Sequence, residues 1–279
     1  MLPIRKTLSI NDIQISYLEW NQGQKPLLLL HGMADNALVW FSLGDYLAPE
    51  YHIIAPDMRG HGESSKPEQD YTFDSAIADL EVLMDNLGWP QVHVVSHSWT
   101  GKLAAIWARY NPKRLISITL VDPIFIWKMP NIMKLSFPLL YKLLPFLKTM
   151  GPFISYEEAE QKIKQLSQFQ DWSPLQQQVF QAGIEQKPDG TWGSKFTIAA
   201  RDGIFDAVLE IPGFVSSVDT PALFIQPEKG VNRQEWQIKP YKTHLKNLTF
   251  QKVAGNHWPF LTKPEEFNQV VKEFLEAQD

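Results

Sequence analysis

The segment at residues 94–101 holds a side chain suited to nucleophilic catalysis. It reads Val-Val-Ser-His-Ser-Trp-Thr-Gly and joins an apolar run to an Ala-rich stretch. Ser98 would stand on a sharp turn between a buried strand and a helix, with its hydroxyl exposed. Such a turn requires small residues two positions to either side. Ser96 suits it, whereas Thr100 stands where glycine is usual. An isolated serine in this context is equally typical of a helix N-cap.

A histidine that could activate this serine follows the last strand pattern, in the segment Gly-Asn-His-Trp at residues 255–258. A lone histidine in such a place is more often structural. Paired with Ser98 in this chain order, His257 is the candidate general base that takes the hydroxyl proton. The two residues together predict nucleophilic catalysis.

Alternating strand and helix patterns must position these two residues. Two alternating runs, 6–10 and 13–17, are separated by Asn11-Asp12 and predict a β-hairpin. Further strand patterns lie at 26–30, 52–55, 92–95, 115–121, 222–225 and 248–253, and helical patterns at 73–87, 100–110 and 264–277. The alternation predicts an α/β fold with a doubly wound, mostly parallel sheet.

Residues 124–214 interrupt this alternation, because the strand patterns give way to helical and aromatic ones. We predict a helical cap inserted here, after the sixth strand, with the core domain formed by residues 1–123 and 215–279. An apolar stripe at 132–150 is either ordinary core of the cap or the roof of an apolar pocket, and both can hold together.

The composition excludes several classes of function. Without a cysteine among its 279 residues, the chain cannot form disulfides, bind zinc through thiolates or use a thiol nucleophile. The net charge is −5 and the basic residues are scattered among acids, so no face for nucleic acid is expected. The sequence lacks both an apolar run of about 18 residues and a signal-peptide pattern. We expect a cytoplasmic soluble protein that needs no metal or organic cofactor, with its oligomeric state left open.

Five segments, in their order along the chain, resemble the α/β-hydrolase superfamily, and the resemblance covers essentially the whole chain apart from the cap. They are His31-Gly32, Asp57–Ser64, Ser96–Trp99, Gly255–Trp258 and Lys263–Phe267. The resemblance implies that the main-chain N–H groups of Met33 and Trp99 bind the developing oxyanion. Each such donor contributes about 3–4 kcal/mol in the transition state. His31 would support this loop rather than act as an acid or base.

The resemblance leaves two places for the acid that would complete a catalytic triad. In most members it is an Asp shortly after the strand at 222–225, but here Gly230 stands at that position, with Glu228 as the nearest carboxylate. The other place follows the preceding strand, where this chain has Asp122. Some haloalkane dehalogenases, polyketide-terminating thioesterases and cofactor-free dioxygenases use that place. We favour Asp122 over Glu228, although an acid there also often caps a loop.

These residues predict a serine hydrolase that cleaves a carboxylic ester or thioester with an apolar acyl or alcohol group. Trp99 resembles the His-Asp-Trp turn of dehalogenases and epoxide hydrolases, but their nucleophile is Asp, so Ser98 argues against both activities. Trp40, Phe125 and Trp127 are candidate substrate-binding residues. Two alternatives remain, a cofactor-free dioxygenase or lyase with His257 as base, and a non-catalytic ligand receptor of the same fold.

Overall fold

The strands of the protein follow the predicted order along the chain. The computed structural model describes residues 2–124, 126–128, 132, 147 and 150–279. The strands are β1 (Ile4–Ile10), β2 (Ile13–Trp20), β3 (Lys25–Leu30), β4 (Tyr51–Pro56), β5 (Val92–His97), β6 (Leu115–Val121), β7 (Ile184–Gln186), β8 (Trp192–Ser194), β9 (Ala222–Lys229) and β10 (Leu248–Asn256). Eight of them form one sheet in the order β1-β2-β4-β3-β5-β6-β9-β10. All strand patterns named above are therefore confirmed as members of one sheet.

The helices of the described residues alternate with these strands. They are α1 (Phe41–Leu47), α2 (Phe73–Asn86), α3 (Trp99–Tyr110), α4 (Tyr156–Ile163), α5 (Pro174–Gly183), α6 (Ile198–Glu210), α7 (Glu235–His244), α8 (Pro259–Thr262) and α9 (Pro264–Glu276). Within the described part of the chain, none of them is both long and apolar enough to cross a membrane.

In the order of the sheet, the six strands β4-β3-β5-β6-β9-β10 are parallel to their neighbours. Antiparallel pairing is confined to β1 with β2 and β2 with β4. Both faces are covered, because alternate residues of one strand belong to different cores. Leu28 and Leu30 pack in a cluster with α2, α3 and α6, whereas Leu27 and Leu29 pack with α1 and α9. Burial on both faces explains why such strands read as continuous apolar runs. The predicted doubly wound α/β fold is confirmed.

The segment between β6 and β9 holds α4, α5 and α6 together with a small antiparallel pair, β7 and β8. This pair differs from the strand-free cap expected from the sequence. Gly190 has a φ of +86°, and its N–H donates to the carbonyl of Lys187 in the turn that connects the two strands. The stripe at 132–150 lies largely outside the described residues. The division into core and cap at 123/124 and 214/215 stays a prediction.

Candidate active site

Ser98 lies on the sharp turn between β5 and α3. Its φ is +59° and its ψ is −116°, a conformation that serine rarely adopts and that costs free energy unless its surroundings hold it. Its N–H donates to the carbonyl of Val121 (3.1 Å), and its carbonyl accepts from Ile124 (3.0 Å). The side chain makes no capping hydrogen bond to the helix. Ser98 therefore occupies the N-cap position of α3, but its hydroxyl does not cap the helix.

Thr100 fits the position where glycine is usual because its hydroxyl is hydrogen-bonded. The residue is fully buried. Its Oγ1 accepts from the N–H of His97 (3.0 Å) and lies 2.9 Å from the carbonyl oxygens of both His97 and Leu30. Leu30 ends β3, immediately before the predicted oxyanion loop. Thr100 thus connects the turn that carries Ser98 to the end of the neighbouring strand.

The carboxylate that contacts His257 is that of Asp122. The Nδ1–H of His257 donates to Asp122 Oδ2 at 2.6 Å, within the distance expected for an acid that orients a base. Asp122 is fully buried, whereas Glu228 is exposed. Because Nδ1 carries the proton in this hydrogen bond, Nε2 of the neutral ring is left as the proton acceptor.

The loop after β9 holds the Asp122 carboxylate with three further donors. The N–H of Val231 donates to Oδ2 (2.7 Å), while the N–H and Nδ2 of Asn232 donate to Oδ1 (3.1 and 2.9 Å). Burial opposes ionisation of Asp122, but His257 and these donors outweigh it and lower the carboxyl pKa below its ordinary value. Asn232 was not recognised in the sequence, because nothing in its neighbourhood indicates a contact 110 positions away.

Ser98 and His257 line the same cavity, which has a volume of about 270 Å³. Its wall is mostly apolar and includes Met33, Ile124, Ile126, Trp127, Phe205 and Trp236. Among the described residues, no hydrogen bond joins the Ser98 hydroxyl to His257. Catalytic hydrogen bonds are often long before substrate binds, so the shared cavity is the relevant relationship.

The three aromatic residues predicted to bind substrate have different locations. Trp127 lines the cavity and is 45% exposed. Trp40 does not line it. Its ring is fully buried in the core, with its centroid 4.4 Å from that of Phe260, so its assignment to the substrate pocket is wrong. Phe125 lies outside the described residues.

Of the two predicted oxyanion donors, Met33 shares the cavity with Ser98 and Trp99 directly follows Ser98 in the chain. Met33 lines the cavity, and Trp99 is the first residue of α3, where a main-chain N–H has no partner within the helix. His31 connects the loop after β3 to the loop after β4. Its Nε2 accepts from the N–H of Met58 (3.0 Å), so Nδ1 carries the proton and donates to the carbonyl of Gly32 (2.7 Å). Burial lowers the His31 pKa, and the ring has the supporting position expected from the sequence.

A second cleft, of about 480 Å³ and with mostly polar lining residues, also includes His257. Its lining includes Ser167, Gln170, Asp171, Lys229, Arg233 and Lys263. His257 is therefore a lining residue of both the apolar cavity and the polar cleft. Within the described ranges, no group of three or more His, Asp or Glu side chains could hold a metal ion.

Comparison with known proteins gives a family match and partial relatives. The model of the alpha/beta hydrolase fold family matches residues 25–201. The chain is 32% identical over 123 residues to a fluoroacetate dehalogenase from Burkholderia sp. The aligned region covers 42% of this chain and 40% of that protein. It is 34% identical over 133 residues to a soluble epoxide hydrolase from Corynebacterium sp. (strain C12). This aligned region covers 47% of this chain and 44% of that hydrolase. The chain thus spans about two fifths of the length of these curated relatives.

A solved structure matches over nearly the whole chain. That of E-2-(acetamidomethylene)succinate hydrolase superimposes with a TM-score of 0.80 at 20% identity, covering 98% of this chain and 99% of that one. At this identity the likeness shows a common fold, on which many different chemistries occur.

Proposed function

Because the chain belongs to the α/β-hydrolase fold family, we propose that it is a serine hydrolase that cleaves a carboxylic ester or thioester. One observation carries the proposal. Ser98 stands in a left-handed turn with its hydroxyl free of the helix, in a cavity shared with His257, whose Nδ1–H is held by Asp122. This arrangement supports acyl transfer through a covalent intermediate.

The proposed reaction has two steps. In the first, Ser98 Oγ attacks the carbonyl carbon as His257 Nε2 takes the hydroxyl proton, and the bond to the leaving oxygen or sulfur then breaks as His257 returns this proton to it. In the second, His257 takes a proton from water, the resulting hydroxide attacks the acyl-enzyme, and Ser98 is released with its proton restored. Asp122 stabilises the imidazolium in both steps.

The oxyanion of each tetrahedral intermediate would lie between the N–H groups of Met33 and Trp99. Support comes from the position of Met33 on the cavity wall and of Trp99 at the start of α3. The positive end of the helix dipole at Trp99 would further stabilise negative charge there.

The two cavities beside His257 suggest how substrate would be divided between them. The acyl group would occupy the apolar cavity beside Ser98, and the leaving group, which must receive a proton from His257, would extend toward the polar cleft. The substrate we propose is therefore an ester or thioester with an apolar acyl part and a polar alcohol or thiol part.

Dehalogenation and epoxide opening fit this site less well, although relatives with those names match part of the chain. Displacement at a saturated carbon by Ser98 would leave a serine ether, which water does not hydrolyse as it does an ester. A carbonyl substrate leaves an ester that the same residues can hydrolyse.

The decisive experiment is labelling with a fluorophosphonate followed by mass spectrometry of the peptides, in parallel with turnover of p-nitrophenyl esters. We expect one adduct, on Ser98, and a kcat that falls by about 10⁴–10⁶ in Ser98→Ala. The exposed Ser9→Ala variant is the control and should label fully. An adduct on another residue, or Ser98→Ala activity above a tenth of the wild-type value, would remove Ser98 from the nucleophile role. Oxygen uptake with a heteroaromatic substrate and no adduct would favour the dioxygenase alternative.

A further inference from the structure

A second histidine, His97, contacts the main chain of His257 and lies close to a second carboxylate, that of Asp35. We propose that His97, the residue before Ser98, is a positioning residue that holds the His257 loop in place through a main-chain hydrogen bond. The inference rests on the proposed function, since it concerns how the base is placed relative to Ser98. Nothing in the sequence beyond the adjacency of His97 to Ser98 indicates this role.

The contact that carries the inference runs between the side chain of His97 and the main chain of His257. Nε2 of His97 lies 2.8 Å from the His257 carbonyl oxygen. A carbonyl only accepts, so Nε2 carries the proton and donates it. The two rings lie with their centroids 4.5 Å apart, and the His97 side chain is buried. The hydrogen bond therefore restrains the backbone from which the base projects.

Asp35 lies on the other side of His97, without a hydrogen bond to its ring, and bonds to the same loop as His97 does. Its Oδ2 lies 3.4 Å from His97 Nδ1, and its carboxylate accepts from Trp258 Nε1 at 3.1 and 3.3 Å. This approach requires Gly32, because a Cβ there would lie 2.4 Å from His97 Nδ1 and 2.9 Å from Asp35 Oδ2. The loop after β3, the turn before α3 and the loop after β10 thus meet at one buried cluster.

The charge state of His97 separates its role from that of His257. Burial and, second, the neighbouring charge of His257 lower the His97 pKa, and the opposing effect of Asp35 does not reverse this. The distance to Asp35 is 3.4 Å, against 2.6 Å between His257 and Asp122. His97 is therefore a neutral donor held between two loops and not a second acid or base.

Such a residue affects rate through geometry. A displacement of about 1 Å between reacting groups can reduce catalysis by about 100-fold. Loss of the His97 donor frees the His257 carbonyl, so the base should reach Ser98 less often while the substrate cavity stays in place. The expected signature is a lower kcat with little change in KM.

The test compares two substitutions, of which only one keeps a side-chain donor. In His97→Gln the side-chain amide can still donate to the His257 carbonyl, whereas His97→Leu has no donor. We expect kcat on a p-nitrophenyl ester to fall by about 10- to 100-fold in His97→Leu, with KM within about twofold, and to recover within about threefold of wild type in His97→Gln. Thermal unfolding of all three proteins checks that each is folded at the assay temperature. Equal losses in both variants, or a change in KM alone, would overturn the proposal.

A second measurement keeps this test independent of the substrate. The Nδ1–H of His257, bonded to Asp122, should give a low-field proton resonance that broadens or shifts in His97→Leu and is retained in His97→Gln. An unchanged resonance in His97→Leu overturns the positioning role even if ester hydrolysis is confirmed. A lost resonance in His97→Leu supports it even if the wild type forms no acyl-enzyme, an outcome that refutes only the proposed function.

Discussion

The carboxylate of Asp122 fills the space that a side chain at Gly230 would need. A Cβ at Gly230 would lie 2.5 Å from Asp122 Oδ2 and 2.8 Å from its Cγ. Asp122, at the end of β6, therefore places its carboxylate beside the loop after β9. An aspartate on that loop would contact His257 from the same place. Asp122 and Gly230 depend on each other, since one supplies the group and the other leaves room for it.

Replacement of the acid should distinguish Asp122 from Glu228. Asp122→Asn places an amide opposite the N–H donors of Val231 and Asn232 and removes the charge that stabilises the imidazolium. We expect kcat to fall by about 10⁴. Glu228→Gln, at an exposed position, is the matched control and should stay within about threefold of wild type. Steady-state kinetics of both variants on one ester make the comparison, and the opposite ranking would assign the acid to Glu228.

A methyl group at Gly230 should impair catalysis without touching the substrate. In Gly230→Ala the new Cβ displaces the Asp122 carboxylate, so we expect kcat to fall by at least about tenfold, a fraction of the loss expected when the acid itself is changed. Lys252→Ala, at an exposed position on β10 that lines neither cavity, is the control. Kinetics and thermal unfolding should be measured together. Unchanged kcat in Gly230→Ala would show that Asp122 has more freedom than its four hydrogen bonds suggest.

The apolar cavity should make the enzyme prefer longer acyl chains. Each methylene that leaves water contributes up to about 0.8 kcal/mol, so kcat/KM should rise from acetyl toward longer esters until the cavity is filled. Ile124→Trp should move the preferred acyl group to shorter chains, because Ile124 lines the cavity next to Pro123. Rates over a series of p-nitrophenyl esters provide the measurement. Equal rates for acetyl and octanoyl esters in the wild type would contradict an acyl site in this cavity.

We expect Lys102, on α3, to make the stability of the protein depend on pH. Its side chain is fully buried, and its Nζ donates to the carbonyls of Trp127 (3.1 Å) and Val208. Val208 lacks a helical partner there because Pro212, four residues later, has no N–H. Burial lowers the Lys102 pKa to about 7. The unfolded chain keeps this amine protonated up to about pH 10.

The sign of the effect follows from proton binding. Above pH 7 the unfolded chain binds more protons at Lys102 than the folded one, so stability rises with pH by at most about 1.4 kcal/mol per unit. Between pH 6 and 9 we expect the free energy of unfolding of wild type, relative to Lys102→Met, to increase by about 1–3 kcal/mol. Urea denaturation at both pH values measures it, with the exposed Lys113→Met as control. A difference that does not change with pH would mean that Lys102 stays charged when buried.

Most of the sheet was predictable because its strands have a strong local signature. Leu27–Leu30 are apolar without interruption since both faces of β3 are covered, and Asn11 takes a φ of +50° in the hairpin turn. The β7–β8 pair was missed although Pro188-Asp189-Gly190 is a turn signal. Strands of three residues are too short to show alternation.

In the candidate site, the residues with local signals were found and those defined by distant contacts were not. Ser98 and His257 follow strands in recognisable segments, and the absence of an acid at Gly230 pointed to Asp122. Asn232 and Asp35 act through partners far along the chain, which no single segment indicates. Trp40 was misplaced because its type does not say what it contacts, and it packs in the core immediately before α1.

The hydrogen bonds of Thr100 have a consequence for chimeric enzymes. In this chain the hydroxyl of Thr100 contacts the carbonyl of Leu30. An oxyanion loop taken from a family member with glycine at this position comes from a protein that lacks such a hydroxyl, so its strand end is not adapted to one. Conversely, a graft of residues 96–101 into such a host would present this hydroxyl to a strand end shaped for a smaller neighbour. We therefore expect the end of β3 and the turn at Ser98 to be exchangeable only as one module.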